Sequence, residues 1–170
     1  MIETYNGLQE WFESNGLHLN DKKTKIIHFS ASNFSCNDFS IHGIPPSKSA
    51  KLLGMTIDSR LNWQEHIENI SSKLSSILFA FRVLTPVVSK ETILQVYYAY
   101  VYSRLKYGII FWGASNKMIR VFKIQKRFIR LICGAPFGAH CKLWFQQLNL
   151  LTLPCIYIYE VLAFLKNNYA

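Results

Sequence analysis

Apolar residues recur at helical spacing from residue 63 onward, and the first such run predicts a long amphipathic helix. Its apolar positions are Trp63, Ile67, Ile70, Leu74, Ile77, Leu78, Phe81 and Leu84. Asn62 is suited to cap the start of this helix, with Glu65 three residues on, as in a capping box. Pro86 places its end. The pattern therefore predicts one helix that packs along a single face.

Further helices are predicted downstream. Ser89 is a good N-cap for a helix that reaches Tyr107 and is apolar almost all round, so we expect it to form the buried centre of this region. Ser115 or Asn116 then caps a third helix that ends at Cys133-Gly134. A short helix over 143–150 and a last one starting at Pro154 follow. This part of the chain is predicted to be a helical bundle.

The upstream part has a mixed pattern. Residues 1–14 suit a helix that stops at Asn15-Gly16. Alternating apolar residues predict strands over 25–30, again from Phe39 through Ile41 to Ile44, and over 51–58, with Gly54 in the middle of the last one. We expect a small antiparallel sheet packed on the first helix. The predicted fold class is α+β: a small antiparallel sheet with a helix, followed by a mainly α-helical bundle.

Charge is distributed unevenly along the 170 residues, whose formal net charge is +9. Up to residue 91 the basic and acidic side chains cancel. From Thr92 to Tyr159 there is no acidic residue. Such a one-sided field indicates a polyanionic partner, either nucleic acid or an anionic membrane surface.

The remaining composition excludes other classes. Glutamates interrupt the N-terminal stretch, so it does not resemble a signal peptide. The uncharged run 143–159 contains Gln, Asn and Pro residues and makes a poor membrane span. The cysteines Cys133, Cys141 and Cys155, with Cys36 and nearby His140, lack the paired spacing of a zinc site. We expect reduced thiols, no metal site, and a nuclear or cytoplasmic rather than secreted protein.

The third predicted helix carries the clearest functional signal. At 3.6 residues per turn most of its basic side chains project from one side, opposite an apolar side that can anchor the helix. The candidate nucleic-acid-binding residues are Lys117, Arg120, Lys123, Lys126, Arg127 and Arg130. For an arbitrary helix such a face is usually only solvated. A membrane-surface helix is a further alternative, but its apolar side is needed for the core.

Three groups of residues together form a specific pattern. The central one is Leu53-Gly54-Met55-Thr56-Ile57-Asp58 followed by Leu61-Asn62-Trp63-Gln64-Glu65-His66-Ile67. Upstream stand Trp11, then Asn15-Gly16-Leu17-His18-Leu19-Asn20, then Lys23-Thr24-Lys25. Downstream stand Tyr107-Gly108, Trp112-Gly113, Gln125-Lys126-Arg127 and Ile129-Arg130. In this order, over nearly the whole chain, these segments resemble the region after the catalytic aspartates in reverse transcriptases of jockey-type non-LTR retrotransposons.

The resemblance implies an assignment for each part. Residues 1–58 would be the end of the palm, 59–134 a helical thumb, and 135–170 the truncated start of a C-terminal helical segment. Leu53 and Gly54 would belong to a primer-grip-like hairpin. Lys23 would lie near the incoming nucleotide and is a possible general acid for the pyrophosphate leaving group. From the sequence alone, Lys23 is better explained as a lysine on an exposed turn.

The same resemblance implies partners that are not in this chain. The parent enzyme would use Mg²⁺ held by an aspartate pair, which is expected just before Met1 and does not occur here. We therefore expect a fragment that does not polymerise alone but grips the hybrid duplex of RNA template and DNA primer, beside the missing fingers and palm. Two alternatives stay open: a stand-alone nucleic-acid-binding module, or a non-functional remnant of a transposon gene.

Overall fold

The computed structural model describes residues 2–20, 22–30, 40 and 43–169. It divides the chain into two compact units, Met1–Leu61 and Asn62–Ala170. The first contains a helix and a two-stranded antiparallel sheet, and the second is helical. The predicted α+β class is confirmed. The names palm and thumb for these parts remain predictions.

Helix α1 of the first unit spans Ile2–Ser14. Gly16 ends it in the left-handed conformation, with a φ of 69°, and the Leu17 N–H donates to the Phe12 carbonyl at 2.8 Å. The predicted stop at Asn15-Gly16 is confirmed. Leu8 and Trp11, on the expected apolar side, are 50% and 57% exposed. These two side chains therefore do not form the expected packing of the helix on the sheet.

The sheet is a hairpin of β1 (Ser49–Leu52) and β2 (Met55–Asp58), in which Ser49 pairs with Asp58 and Leu52 with Met55. The prediction of one strand through 51–58 is wrong, because Gly54 lies in the turn between two strands. The predicted strand 25–30 is reduced to a single parallel bridge from Ile26 to Pro46. Phe39 and Ile41, placed in a predicted strand, lie outside the described residues.

The core of the second unit forms between α2 (Gln64–Leu84) and α6 (Met118–Ile132). The predicted apolar face of α2 is buried at Trp63, Ile67, Ile70, Leu74, Leu78 and Phe81. The Phe81 and Phe128 rings meet edge to face, 4.9 Å between centroids. Since Lys117 contacts Gln64 near the start of both helices and Phe81 meets Phe128 near their ends, α2 and α6 run in the same direction.

The chain between these two helices forms α3 (Lys90–Tyr97), a π-helical turn (Tyr98–Tyr102) and α4 (Ser103–Lys106) without a break. The Ser89 hydroxyl accepts from the Thr92 N–H at 3.2 Å, which confirms this N-cap. Ile93, Tyr97, Val101 and Leu105 are buried. Tyr98, Tyr100 and Tyr107 are exposed, so the expectation of burial all round is wrong. Because the π turn is wider than an α turn, residues spaced by four come nearly into line along the helix. The four buried residues therefore lie on one side, and that side alone forms the contact with the core.

A glycine–tryptophan segment precedes α6. Gly108, with a φ of 61°, starts the short helix α5 (Ile109–Trp112), and the buried Trp112 indole N–H donates to the Tyr107 carbonyl at 3.1 Å. A side chain on Gly113 would lie 2.6 Å from the Ile109 carbonyl oxygen. The segments Tyr107-Gly108 and Trp112-Gly113 therefore serve packing and chain reversal.

The end of α6 is fixed by a Schellman motif, in which the Ala135 N–H donates to the Arg130 carbonyl at 2.8 Å and Gly134 has a φ of 62°. Helix α7 (Lys142–Gln147) is shorter than predicted, and α8 (Leu153–Tyr169) begins one residue before Pro154. α8 packs against α4, α5 and α6.

Candidate nucleic-acid interface

Helix α6 separates its side chains into two faces. Val121, Phe128, Ile129 and Ile132 are buried, as the sequence predicts, while Met118 and Phe122 are half-buried. Ile124 and Gln125 are buried as well, which the sequence analysis missed. On the other side Arg120, Lys123 and Arg127 are exposed. The buried side holds the helix against α2, so the basic side chains project from a fixed base.

One end of the basic face contacts α2. The Arg120 guanidinium lies 3.8 Å from the Glu68 carboxylate, and the Lys117 ammonium donates to the Gln64 side-chain oxygen. A carboxylate therefore lies beside the basic helix, although the sequence has no acidic residue between Thr92 and Tyr159. Glu68 is far away in the sequence and reaches Arg120 because α2 and α6 are adjacent. Both side chains of this pair are largely exposed, so its net stabilisation is small.

Lys126 and Arg130 also have defined positions. The Lys126 ammonium lies over the Phe122 ring, 4.2 Å from its centroid. The Arg130 guanidinium donates through Nε to the Ala139 carbonyl at 3.0 Å. These bonds leave the remaining donors of Arg130 available, because a guanidinium carries five.

Lys123 and Arg127 occupy the middle of the exposed face. Neither forms an ion pair within the part of the chain that the structure describes. Five of the six predicted residues lie in α6 and Lys117 directly precedes it, but their contacts differ. Lys117 and Arg120 contact α2, Lys126 and Arg130 are held by neighbouring groups, and the side chains of Lys123 and Arg127 are exposed.

Gln125 is the residue of α6 that the sequence analysis left without a role. It is fully buried, and its amide nitrogen donates to the Tyr97 hydroxyl and to the Leu151 carbonyl, each at 3.0 Å. Its amide oxygen accepts from the Leu153 N–H at 2.8 Å, at the start of α8. Burial raises the pKa of Tyr97 far above its ordinary value, so this phenol stays protonated. Gln125 joins α6, α3 and α8.

In the first unit, Leu53 and Gly54 form the two-residue turn of the hairpin. Their φ values are 47° and 81°, which is the pattern of a type I′ turn. The Leu53 side chain is 77% exposed at the tip. Gly54 suits its position, since such a turn needs positive φ at both residues.

Lys23 lies in a different part of the same unit, on a turn that follows Asn20. Its N–H donates to the Asn20 carbonyl at 2.9 Å, and its side chain is exposed. This position agrees with the plainer interpretation of Lys23 as a lysine on an exposed turn. It leaves the proposed general-acid role as a prediction.

Metal ligands and membrane-spanning helices are two further features that would bear on function in the described ranges. No three His, Cys, Asp or Glu side chains there come together as metal ligands. Nor is any helix in those ranges both long and apolar enough to cross a bilayer. Cys133, Cys141 and Cys155 are free thiols.

The chain is similar to RNA-directed DNA polymerases of non-LTR retrotransposons, which confirms the resemblance found in the sequence. The RNA-directed DNA polymerase from mobile element jockey of Drosophila melanogaster is 25% identical over 142 residues, which are 79% of this chain and 16% of that protein. The probable RNA-directed DNA polymerase from transposon X-element of the same organism is 24% identical over 151 residues, 85% of this chain and 17% of that protein.

The chain spans about a sixth of the length of these curated relatives. No protein-family model matches it. No solved structure matches it either.

Proposed function

We propose that this chain is the part of a non-LTR retrotransposon reverse transcriptase that grips the hybrid duplex of RNA template and DNA primer. The similarity to the jockey and X-element polymerases supports the class of enzyme. The single observation that carries the gripping role is the exposed basic face of α6, with Lys123 and Arg127 at its centre.

The physical argument is one of charge and anchoring. A duplex carries closely spaced phosphates, and each lysine or arginine that replaces a condensed counterion releases it, which drives association. Such contacts orient the duplex without selecting its sequence. A polymerase that moves along changing templates needs this kind of binding. The buried side of α6 holds the basic side chains in place, so little freedom is lost when they meet phosphates.

Two further assignments extend the proposal to the first unit. The hairpin tip at Leu53 and Gly54 touches the end of the primer strand, and Lys23 protonates the leaving pyrophosphate. The catalytic Mg²⁺ belongs to the remaining fingers and palm of the parent enzyme. The described residues of this chain do not fit a metal site, since they contain no cluster of ligands. The duplex would be bound in the nucleus or the cytoplasm.

The test replaces Lys123 and Arg127 by Gln in one variant, and Arg120, Lys123, Arg127 and Arg130 by Gln in another. Gln is nearly as good a helix former as Arg or Lys, so the helix content is retained. Each phosphate contact contributes about 0.9 to the slope of log affinity against log salt for a duplex. We expect the double variant to lose roughly two units of slope and the quadruple variant up to about four. Fluorescence anisotropy of a labelled RNA–DNA hybrid, at several salt concentrations, measures both.

A charge-matched control is Lys48→Gln with Lys166→Gln, which removes two exposed lysines that lie outside α6. This control should keep most of the affinity and the slope. Equal losses in the control and in the double variant would show that only net charge matters. Unchanged binding in the quadruple variant, with circular dichroism intact, would reduce the α6 face to a solvated surface.

A further inference from the structure

We infer that a pocket beside the basic face holds one unpaired nucleotide, with its phosphate on three arginines and its base stacked on Phe137. This inference rests on the proposed function and adds a single-strand site to the duplex surface. The pocket lies between α2, α6 and the segment that follows α6, all within the second unit. Its lining residues are Leu78, Arg82, Arg127, Arg130, Leu131, Ala135 and Phe137.

The three arginines reach the pocket from two helices. Arg82 comes from the last turn of α2, and Arg127 and Arg130 come from successive turns of α6. They line one pocket because α2 and α6 run in the same direction, so that their ends lie side by side. The sequence of α6 alone therefore does not indicate Arg82.

The charge of the pocket is unbalanced. None of its lining residues is acidic. Within the described ranges, no carboxylate forms an ion pair with Arg82, Arg127 or Arg130. Three arginines that line one pocket without a counter-charge are suited to a phosphate, which accepts paired hydrogen bonds from planar guanidinium donors.

Phe137 supplies the second observation. Its side chain is 92% exposed, in a short loop closed by a bond from the Ala139 N–H to the Pro136 carbonyl at 3.2 Å. The bond from Arg130 to the Ala139 carbonyl fixes the same loop to α6. An aromatic ring displayed to solvent beside cationic groups is the usual arrangement in proteins that stack nucleobases.

The size and the chemistry of the pocket select an unpaired nucleotide rather than a duplex. Its volume is about 370 Å³, near the lower end of small-ligand sites. Leu78, Leu131 and Ala135 give it an apolar floor. Inside a duplex both faces of a base are covered by its neighbours, so a protein ring stacks on bases that are unpaired or terminal. The occupant is therefore a nucleotide of the single strand that continues from the gripped hybrid.

The test compares a blunt RNA–DNA hybrid with the same hybrid extended by a short single-stranded overhang that carries 2-aminopurine. The full chain is used, with Phe137→Ala, Phe137→Leu and Arg82→Gln. We expect the overhang to tighten binding about tenfold in the unmodified chain, and the 2-aminopurine emission to change on binding, because the base leaves its neighbours and stacks on Phe137. Both effects should disappear in Phe137→Ala. Phe137→Leu should lose the emission change as well, because it keeps an apolar side chain but no ring.

The matched control is Phe79→Ala, which removes another exposed phenylalanine that does not line the pocket. It should behave as the unmodified chain does, while Arg82→Gln should weaken only the overhang hybrid. Normal binding of the blunt hybrid with no gain from the overhang, or a gain that survives Phe137→Ala, overturns the pocket and leaves the duplex grip standing. A blunt hybrid that does not bind, beside an overhang hybrid that does, refutes the grip and supports the pocket. If neither binds, both proposals fail.

Discussion

Gln125 illustrates how one polar side chain can join three helices. Its amide satisfies the Leu151 carbonyl and the Leu153 N–H, which is one of the donors that a helix leaves unpaired at its start. It also binds the Tyr97 hydroxyl. Since the Gln125 amide, the Tyr97 hydroxyl and the Leu153 N–H are buried, each becomes costly if its partner is lost.

We predict that Gln125→Leu lowers the free energy of unfolding by about 2–4 kcal/mol, because it leaves buried backbone groups without partners. Tyr97→Phe removes only one of the hydrogen bonds and should cost about 1 kcal/mol. Urea denaturation followed by circular dichroism measures both. A Gln125→Leu variant as stable as the unmodified chain would show that water replaces the amide.

His66 gives the fold a pH dependence. It is buried between the Trp63 and Trp112 rings, with centroids 6.0 and 6.2 Å away. Burial, with a smaller effect of the Lys73 ammonium, lowers the pKa of His66 below its usual 6.5. The unfolded chain therefore takes up this proton at a higher pH than the folded chain does.

From that sign we predict that the His66 contribution to stability is constant above about pH 7 and declines as the pH falls below about 6.5. His66→Phe keeps an aromatic ring but cannot titrate, so its unfolding free energy should fall less between pH 7 and pH 5. Urea titrations at each pH give the free energy of unfolding, and its change with pH is the slope that is compared between the two proteins. His18→Gln, at an exposed histidine, is the control and should retain the slope of the unmodified chain. Parallel slopes for His66→Phe and the unmodified chain would contradict the assignment.

At the scale of elements, the hairpin turn has an unusual first residue. Leu53 adopts a φ of 47°, which favours Asn or Gly and disfavours a bulky side chain. We predict that Leu53→Asn stabilises the chain by about 0.5–1 kcal/mol, measured by denaturation. Gly54→Val should do the opposite, because it places a β-branched residue at a φ of 81°.

The Leu53→Asn variant also tests the proposed primer contact. If the exposed Leu53 side chain touches the primer, then Leu53→Asn should bind the hybrid more weakly although its fold is more stable. Opposite changes of stability and affinity are the expected result. An increase in stability without any loss of affinity would make this tip an ordinary turn.

The helices could be predicted where a local pattern determines them. The apolar spacing of α2, the Ser89 cap and the Gly16 stop depend on neighbouring residues, and each was predicted. The residue pattern did not show the hairpin, which only the family resemblance implied, because alternation continues across Leu53 and Gly54 and only the backbone angles distinguish a turn from a strand. The prediction of a strand over 25–30 was wrong because a strand also needs a neighbouring strand to pair with, and the tertiary fold determines whether one is present.

The candidate site was predictable to a similar extent. The position of the basic residues on one face follows from the helical repeat alone. Contacts made by other elements cannot be predicted from that repeat, and the features that the sequence did not indicate are all of this kind. They are Glu68 near Arg120, Arg82 in the same pocket as Arg127, and the partners of Gln125.

At the scale of the whole molecule, the two units differ in their cores. Among the described residues, the buried apolar side chains all lie between Trp63 and Ile156. Of the described residues of the first unit, only Thr56 is buried. A segment of about 60 residues is marginally stable even with an apolar core, so we expect this unit not to fold alone.

We therefore predict that a chain of residues 62–170 unfolds cooperatively, with a midpoint close to that of the full chain, whereas residues 1–61 alone show no cooperative transition. Thermal and urea melts by circular dichroism test this. A cooperative melt of 1–61 would show a core in that unit, and loss of cooperativity in 62–170 would show that its helices need the first unit.

The packing of α2 against α6 also has a consequence for folding during synthesis on the ribosome, because the two helices are far apart along the chain. Ser115 meets Asn62 across 53 residues of chain, so α2 is complete long before the helix that covers it exists. At a synthesis rate of about 5–20 residues per second, Ile67, Leu74 and Leu78 wait roughly 3–10 seconds for α6. During this time their apolar stripe is open to chaperones or to other nascent chains. Slowing translation between Leu84 and Met118 would lengthen that exposure and lower the yield of soluble protein.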